Sequence, residues 1–234
     1  MSDFVLIHGS WHGGWCWDRV GPLLTARGHR VWAPTLVGLG ELATEATPET
    51  GLHTHVDQIV ALVRAHKLAD VVLVGHSYGG LVIDGVADRL PEQVSHLVYL
   101  DALVADHGQS AFDLMPGVQA GFEASMRASG SDFLIPPMDP RQFGVTDSDD
   151  LAWVTGRLTG MPIRTHSEKL DAPRGADRSI PSTYVHCLRF GLGESFADQA
   201  RQAGWNVVEL DTGHDVMITH PAELAAVLLG GHDD

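Results

Sequence analysis

The stretch Val71-Val72-Leu73-Val74-Gly75-His76-Ser77-Tyr78-Gly79-Gly80 decides the fold of this chain. Its first four residues are apolar and three of them are β-branched, which predicts a buried strand. A Gly-x-Ser-x-Gly turn follows, and residues 81–87 have the composition of a helix. A sharp turn between a strand and a helix lifts its serine above the sheet, at the positive end of the helix dipole. The stretch therefore predicts that Ser77 is an exposed nucleophile on a tight turn whose glycines avoid clashes with neighbouring backbone.

Composition limits the classes of protein to which the chain can belong. Its 234 residues suit one α/β domain, and 44% of them are hydrophobic. A formal net charge of −15 argues against nucleic acid or an anionic membrane as a partner. Two cysteines, Cys16 and Cys187, are too few for a disulfide framework. Because no signal peptide or apolar span of membrane length is present, we expect a cytoplasmic protein. The sequence leaves both a monomer and a homodimer open.

Short apolar segments alternate with helical patterns along most of the chain. Alternation of this kind predicts parallel strands that are buried on both faces, in a doubly wound α/β sheet. The predicted helices are 17–26, 50–67, 81–90, 194–203 and 222–229, and the predicted strands are 4–7, 30–33, 71–74, 94–100, 182–187 and 206–210.

The alternation stops between residues 102 and 180. This stretch is rich in Pro, Asp, Met and Phe and contains no valine-rich strand. We interpret 102–180 as a helical cap inserted over the ends of the strands, and 1–101 together with 181–234 as the α/β core.

Chemically useful residues follow directly after the predicted strands. They are the 8–14 loop, Ser77, Asp101 and His214. In open α/β sheets, ligands bind at the carboxyl ends of the strands. A serine needs an adjacent base, and His214 in the last strand-end loop is the best candidate. Most of the other histidines, His166 among them, are interpreted as surface or structural residues.

The glycine-rich loop after the first strand suits an oxyanion hole. Backbone N–H groups must point at the developing negative charge, and the N–H of Tyr78 is one candidate. The second is expected at Ser10, with Trp11 as the alternative. The loop matches neither G-x-G-x-x-G nor a Walker motif, so we expect no nucleotide cofactor, and no metal.

Three segments resemble those of one enzyme family. His8-Gly9-Ser10-Trp11-His12-Gly13-Gly14-Trp15-Cys16-Trp17, the 75–80 turn and Gly213-His214 resemble the α/β-hydrolase branch that contains plant methylesterases, hydroxynitrile lyases and small bacterial esterases. The resemblance implies an α/β-hydrolase core with a small lid, a Ser-His-acid triad and no cofactor. The lyases of this branch typically carry a threonine after the first histidine and a lysine after the catalytic one. Gly9 and Asp215 stand there in this chain, which favours ester hydrolysis.

The acid of the triad is not where the family usually has it. Aligned by eye, Phe190 occupies that position after the next-to-last strand, and Glu194 is the nearest carboxylate. Asp101 is the preferred alternative, because it directly follows the strand after the elbow. Some haloalkane dehalogenases place their acid there, and residues 97–102 are similar to that stretch. Glu194, Asp211, Asp215 and the absence of any acid remain open.

The sequence thus predicts a serine carboxylesterase that acts on small to medium carboxylic esters. Two rival hypotheses are a cofactor-free lyase on the same scaffold and a non-catalytic protein that binds a small ligand. Apolar or aromatic residues after strands and in the cap are candidates for the substrate pocket: Trp11, His12, Leu103, Phe112, Met126, Phe133 and Trp153.

Overall fold

The computed structural model describes residues 1–172 and 179–230, and a six-stranded parallel sheet forms its centre. The strands described are β1 (Asp3–Ile7), β2 (Arg30–Trp32), β3 (Val71–His76), β4 (Val94–Leu100), β5 (Leu134–Ile135), β6 (Met161–Pro162), β7 (Ser182–Cys187) and β8 (Asn206–Leu210). The central sheet has the order β2-β1-β3-β4-β7-β8, and all neighbouring pairs are parallel. A separate two-stranded antiparallel ladder is formed by β5 and β6. The predicted doubly wound sheet is confirmed.

Strand β3 shows why the sheet is central. Val71 and Leu73 pack into the apolar cluster on one face, whereas Val72 and Val74 pack into the cluster on the other. Side chains alternate along a strand, so a strand that is apolar throughout must be covered on both faces. Burial of each of these side chains contributes about 1.5–3 kcal/mol.

Ten α-helices are described in residues 1–172 and 179–230. They are α1 (Gly21–Thr25), α2 (Leu52–Ala65), α3 (Gly79–Arg89), α4 (Ala111–Leu114), α5 (Val118–Ala128), α6 (Ser148–Thr155), α7 (Arg164–Ser167), α8 (Glu194–Gln202), α9 (Val216–Thr219) and α10 (Pro221–Gly230). The helix predicted over 17–26 is present but shorter, because α1 covers only Gly21–Thr25. A 3-10 turn occupies Gly14–Trp17, and α1 begins only beside Pro22, because proline lacks the N–H that a helix interior requires.

The segment between β4 and β7 lies outside the central sheet. Its described part contains α4, α5, α6, α7, a 3-10 turn at Pro140–Phe143 and the small β5–β6 ladder. Residues 173–178 of the predicted cap, 102–180, lie outside the described residues. No helix in the described chain has the length and apolarity needed to cross a membrane.

Candidate active site

The turn between β3 and α3 holds Ser77 in a strained backbone conformation. Its φ is +54°, a region that non-glycine residues rarely adopt. A Cβ added at Gly75 would lie 2.6 Å from the carbonyl oxygen of Gly79, so the turn tolerates no larger residue there. The Ser77 N–H donates to the carbonyl of Leu100, 3.1 Å away, which ties the turn to the end of β4. Strain of this kind is commonly found at functional sites.

Asp101 and His214 form a short hydrogen bond beside this turn. His214 Nδ1 lies 2.6 Å from Asp101 Oδ2, and the two residues are 3% and 1% exposed. Asp101 also has a positive φ, +45°, and its N–H donates to the carbonyl of Val185 at 2.7 Å. Its other carboxylate oxygen, Oδ1, accepts from the N–H of Cys187 at 3.3 Å. Each carboxylate oxygen thus has its own donor, the Cys187 N–H for Oδ1 and His214 Nδ1 for Oδ2.

A glycine on the neighbouring loop leaves room for this carboxylate. A Cβ built on Gly193 would lie 2.2 Å from Asp101 Oδ1. The next residue, Glu194, is exposed at the start of α8. Asp211 is exposed as well, and both of its oxygens accept from Arg189. Of the carboxylates considered from the sequence, Asp101 is the one that the structure places against His214.

Two rings hold the His214 imidazole in place. Phe190 stacks on it with a centroid distance of 4.2 Å, and the His76 ring lies 4.4 Å away. His76 Nε2 donates to the carbonyl oxygen of His214 at 3.1 Å. Burial, together with nearby histidines, holds the pKa of His76 well below its usual value, so this ring is neutral. Phe190, the residue predicted to stand in place of the usual acid, packs on the imidazole.

The hydroxyl and the imidazole open onto one space. Ser77 and His214 line the same cavity, although no hydrogen bond joins their side chains in the described part of the chain. Bonds of this kind are often long in sites without a ligand. Within residues 1–172 and 179–230, the backbone N–H groups of Ser10, Trp11 and Tyr78 have no acceptor. They are therefore available to a ligand oxygen, and the choice between Ser10 and Trp11 stays a prediction.

A buried ion pair links the loop after β1 to the His214 loop. His12 Nδ1 lies 2.7 Å from the carbonyl oxygen of Ser10, and its Nε2 lies 3.2 Å from Asp215 Oδ2. Both partners are acceptors, so the ring must donate from both nitrogens and carry a positive charge. Burial opposes that charge, but the Asp215 carboxylate outweighs it and raises the pKa of His12. Asp215, adjacent to His214, is thus the counter-ion of His12.

The cavity has a volume of about 270 Å³ and a mostly apolar wall. Trp11 and Leu103, which the sequence predicts for the pocket, are among its lining residues. The complete lining is Ser10, Trp11, Ser77, Tyr78, Leu103, Met115, Val118, Phe122, Met138, Gln142, Phe143, His166, Phe190, Leu192 and His214.

The other residues predicted for the pocket do not line this cavity. Trp153 packs against Trp15 and the Arg19 guanidinium instead. Phe133 lies beside the β5–β6 ladder, where its carbonyl accepts from the N–H of Ile163. The remaining three are Phe112, which packs behind His166, Met126, which is buried on α5, and His12, which lies beneath Ser10.

Residues of the 102–172 segment that the sequence did not single out form much of the wall. They include Phe122, Phe143 and His166. Hydrophobic spacing along a helix does not show whether its apolar face meets a cavity or the core. The sequence therefore carried no signal for these residues. Within the described ranges, no group of three or more His, Cys, Asp or Glu side chains could hold a metal ion.

Comparisons with known proteins show the family to which the chain belongs. The alpha/beta hydrolase family matches residues 4–227. A carbendazim-hydrolyzing esterase from Nocardioides sp. is 39% identical over 97% of this chain and 98% of its own length. Methylesterase 1 of Arabidopsis thaliana is 40% identical over 45% of this chain and 41% of its own. A solved structure of an extracellular alpha/beta-hydrolase from a Paenibacillus species superposes with a TM-score of 0.89 at 26% identity and covers all of both chains. The chain therefore belongs to the alpha/beta hydrolase family and is a carboxylic ester hydrolase.

Proposed function

We propose that Ser77, His214 and Asp101 are the catalytic triad of this esterase. The observation that carries the proposal is the 2.6 Å hydrogen bond between His214 and the buried Asp101, beside a cavity that Ser77 also lines. A buried carboxylate in this position orients the imidazole and stabilises its cation during the reaction. The strained turn at Ser77 supports the same assignment, because it holds the hydroxyl at the floor of the cavity.

The reaction proceeds by acyl transfer in two steps. Ser77 Oγ attacks the ester carbonyl carbon while His214 Nε2 takes the hydroxyl proton. The N–H groups of Tyr78 and Ser10 stabilise the oxyanion. When the tetrahedral intermediate collapses, the ester C–O bond breaks and His214 gives its proton to the leaving alcohol. A water molecule then attacks the acyl-enzyme with His214 as base, which releases the acid and restores Ser77.

The substrates are small to medium carboxylic esters, with methyl and aryl esters as the first candidates. A cavity of about 270 Å³ lies near the lower end of the range for small-molecule sites. Its apolar wall suits hydrocarbon or aromatic groups on either side of the ester. The names of the relatives, a methylesterase and a carbendazim-hydrolyzing esterase, support esters of this size.

Covalent labelling and turnover test this function together. A fluorophosphonate should label Ser77, and the Ser77→Ala variant should lose both the label and hydrolysis of p-nitrophenyl acetate. The same preparations should be offered mandelonitrile, the substrate expected of the lyase alternative. Cleavage of mandelonitrile without ester hydrolysis would contradict the esterase mechanism. Binding of esters without turnover or labelling would favour the non-catalytic alternative.

The compartment is a further part of the proposal. We place the protein in a reducing compartment, the cytoplasm, because Cys16 and Cys187 are free and buried. Burial raises the pKa of both thiols, that of Cys187 to about 12, so neither is suited to thiol exchange. Fractionation of the native cells, followed by detection with an antibody, tests this; recovery from the medium would contradict it.

A further inference from the structure

Two buried polar side chains of the cavity wall take no part in the proposed reaction. Ser77 and His214 take part in the chemistry, Gln142 is exposed, and the polar atoms of Trp11 and Tyr78 pair with the Ile135 carbonyl and with His55. The other two polar side chains are Ser10 and His166, which are 7% and 2% exposed. Ser10 Oγ lies 3.3 Å from His166 Nε2. We call this pair of side chains the polar corner.

The imidazole of His166 is held rigidly in this corner. It stacks on the Tyr78 ring with a centroid distance of 5.4 Å and an interplanar angle of 12°. Phe112 and Phe122 contact it from other directions, with centroid distances of 5.6 and 5.7 Å. The orientation of its two nitrogens is therefore fixed by packing, and Nε2 is the nitrogen directed at Ser10.

The neighbouring threonine determines which nitrogen carries the proton. Thr165 Oγ1 donates its proton to the carbonyl oxygen of Pro162, at 2.6 Å. The hydroxyl has one proton, so its contact of 3.0 Å with His166 Nδ1 requires Nδ1 to be the donor. Burial lowers the pKa of His166 to about 3, which keeps the ring neutral at ordinary pH. Nε2 is consequently unprotonated, and Ser10 Oγ donates to it.

A fixed acceptor at this point selects among ligands. A ligand hydroxyl or N–H can donate to Ser10 Oγ while the Ser10 hydroxyl keeps donating to Nε2, so every buried group stays paired. A ligand that only accepts would have to draw the Ser10 proton away and leave Nε2 buried without a donor. Leaving a buried polar group unpaired costs about 1–3 kcal/mol, and sites of this kind discriminate strongly against ligands that lack the matching group.

We propose that the polar corner makes this esterase selective for esters that carry a hydroxyl or N–H donor one or two bonds from the scissile carbonyl. The inference rests on the proposed function, because Ser10 supplies the N–H for the oxyanion and its side chain therefore lies next to the reacting carbonyl. Thr165 is a positioning residue that acts through the tautomer of His166.

Three esters of matched shape test the selectivity. Methyl mandelate has an α-hydroxyl, methyl 2-phenylpropanoate replaces it with a methyl group, and methyl α-methoxyphenylacetate keeps only the acceptor. Rates of alkaline hydrolysis correct kcat/KM for intrinsic reactivity. After this correction we expect the hydroxy ester to be preferred roughly tenfold over both others. Equal corrected values for the three esters would overturn the inference and leave the esterase function standing. Hydrolysis of none of them by an enzyme that cleaves p-nitrophenyl acetate would also overturn the inference, whereas loss of that cleavage as well would overturn the esterase function.

Two variants locate the source of the preference. His166→Phe keeps an aromatic ring among its aromatic neighbours but removes the acceptor, so the corrected preference should fall close to one. Thr165→Val removes the partner of Nδ1–H without touching the cavity wall. The proton should then move to Nε2, which lowers the preference for the hydroxy ester and improves the methoxy ester relative to it. His66→Phe, the same exchange at an exposed site, is the matched control and should leave the ratios unchanged.

Nitrogen NMR provides a readout that is independent of turnover and of any variant that folds poorly. In protein labelled with ¹⁵N-histidine, the His166 signals should show Nε2 as the unprotonated nitrogen in the native chain and Nδ1 in Thr165→Val. Melting curves show whether each variant is folded. A protonated Nε2 in the native chain, or an unchanged ratio in folded His166→Phe, would refute the proposal.

Discussion

Replacing Asp101 with asparagine should inactivate the enzyme for a reason that the geometry makes specific. The N–H of Cys187 donates to Oδ1, and His214 Nδ1 faces Oδ2. An asparagine must keep its single oxygen toward the Cys187 N–H, since its amide group would otherwise meet another donor there. The amide nitrogen then faces Nδ1 and requires it to be unprotonated. Nε2 would carry the proton, and His214 could no longer accept one from Ser77.

The expected loss is large because the change affects the base itself. In a serine protease with the same triad logic, this exchange lowers kcat about 10⁴-fold through the wrong tautomer. Asp101 and His214 are both almost fully buried, so water cannot easily replace the lost interaction. We expect kcat/KM to fall by about 10³–10⁴, which corresponds to about 4–5.5 kcal/mol of transition-state stabilisation.

The assay is steady-state hydrolysis of p-nitrophenyl acetate by the native chain, Asp101→Asn and Glu194→Gln. Glu194 is the matched control, a carboxylate near the same loop that is exposed to solvent. Glu194→Gln should retain activity within about twofold, because exposed substitutions usually have small effects. Melting temperatures show that the variants are folded. An Asp101→Asn enzyme with more than a tenth of native activity, or an equal loss in Glu194→Gln, would refute the assignment of the acid.

Three further predictions concern the surroundings of the triad. Gly193→Ala places a Cβ against Asp101 Oδ1, so kcat should fall at least tenfold in a folded protein; native activity would show that the carboxylate is not confined. Asp215→Ala leaves the His12 cation buried without its counter-ion and should lower the free energy of unfolding, measured by urea titration, by about 3–5 kcal/mol. Asp211→Ala, the control at an exposed ion pair, should change this free energy little. Acid should lower the free energy of unfolding because of His8, His55 and His166. Burial holds these three histidines neutral in the folded state, with pKa values of about 3 or 4. The unfolded chain binds their protons from about pH 6.5 downwards, so stability is lost as the pH falls. Unfolding measured between pH 6 and 4 should show stability falling by up to roughly 4 kcal/mol per pH unit, and a flat profile would contradict their burial in the neutral form.

The sheet could be predicted from the sequence because its strands leave a strong local signature. Residues 71–74 and 97–100 are runs of apolar or aromatic residues, which are typical of a strand buried on both faces, and Gly75 marks the turn. The helix after the first strand was predicted to begin at Trp17, whereas α1 begins at Gly21, next to Pro22, whose missing N–H a first turn tolerates and a helix interior does not. Local patterns therefore identified the elements, and their ends depended on backbone chemistry.

The cavity wall could not be predicted in the same way. The helix that carries His166, α7, is four residues long, too short for a hydrophobic period to show which side faces the cavity. The longer α5 supplies Val118 and Phe122, and an apolar face on a helix does not show whether it meets a cavity or the core. His166 was interpreted as a surface or structural residue because nothing near it in sequence marks it. Its position depends on contacts with Ser10 and Tyr78, which are far away along the chain. A site assembled between distant segments has no local signature.

The position of the acid follows from the order of the strands. Because β4 and β7 are neighbours in the sheet, their carboxyl ends open on the same side, and a carboxylate after either strand can approach the loop that carries His214. In this chain the carboxylate follows β4, and Phe190 after β7 stacks on the imidazole. The two residues constrain different things: Asp101 fixes the proton on Nδ1, whereas Phe190 restricts the tilt of the ring. Phe190→Leu should therefore lower kcat moderately without changing its pH profile, whereas Asp101→Asn removes the base at every pH near neutrality.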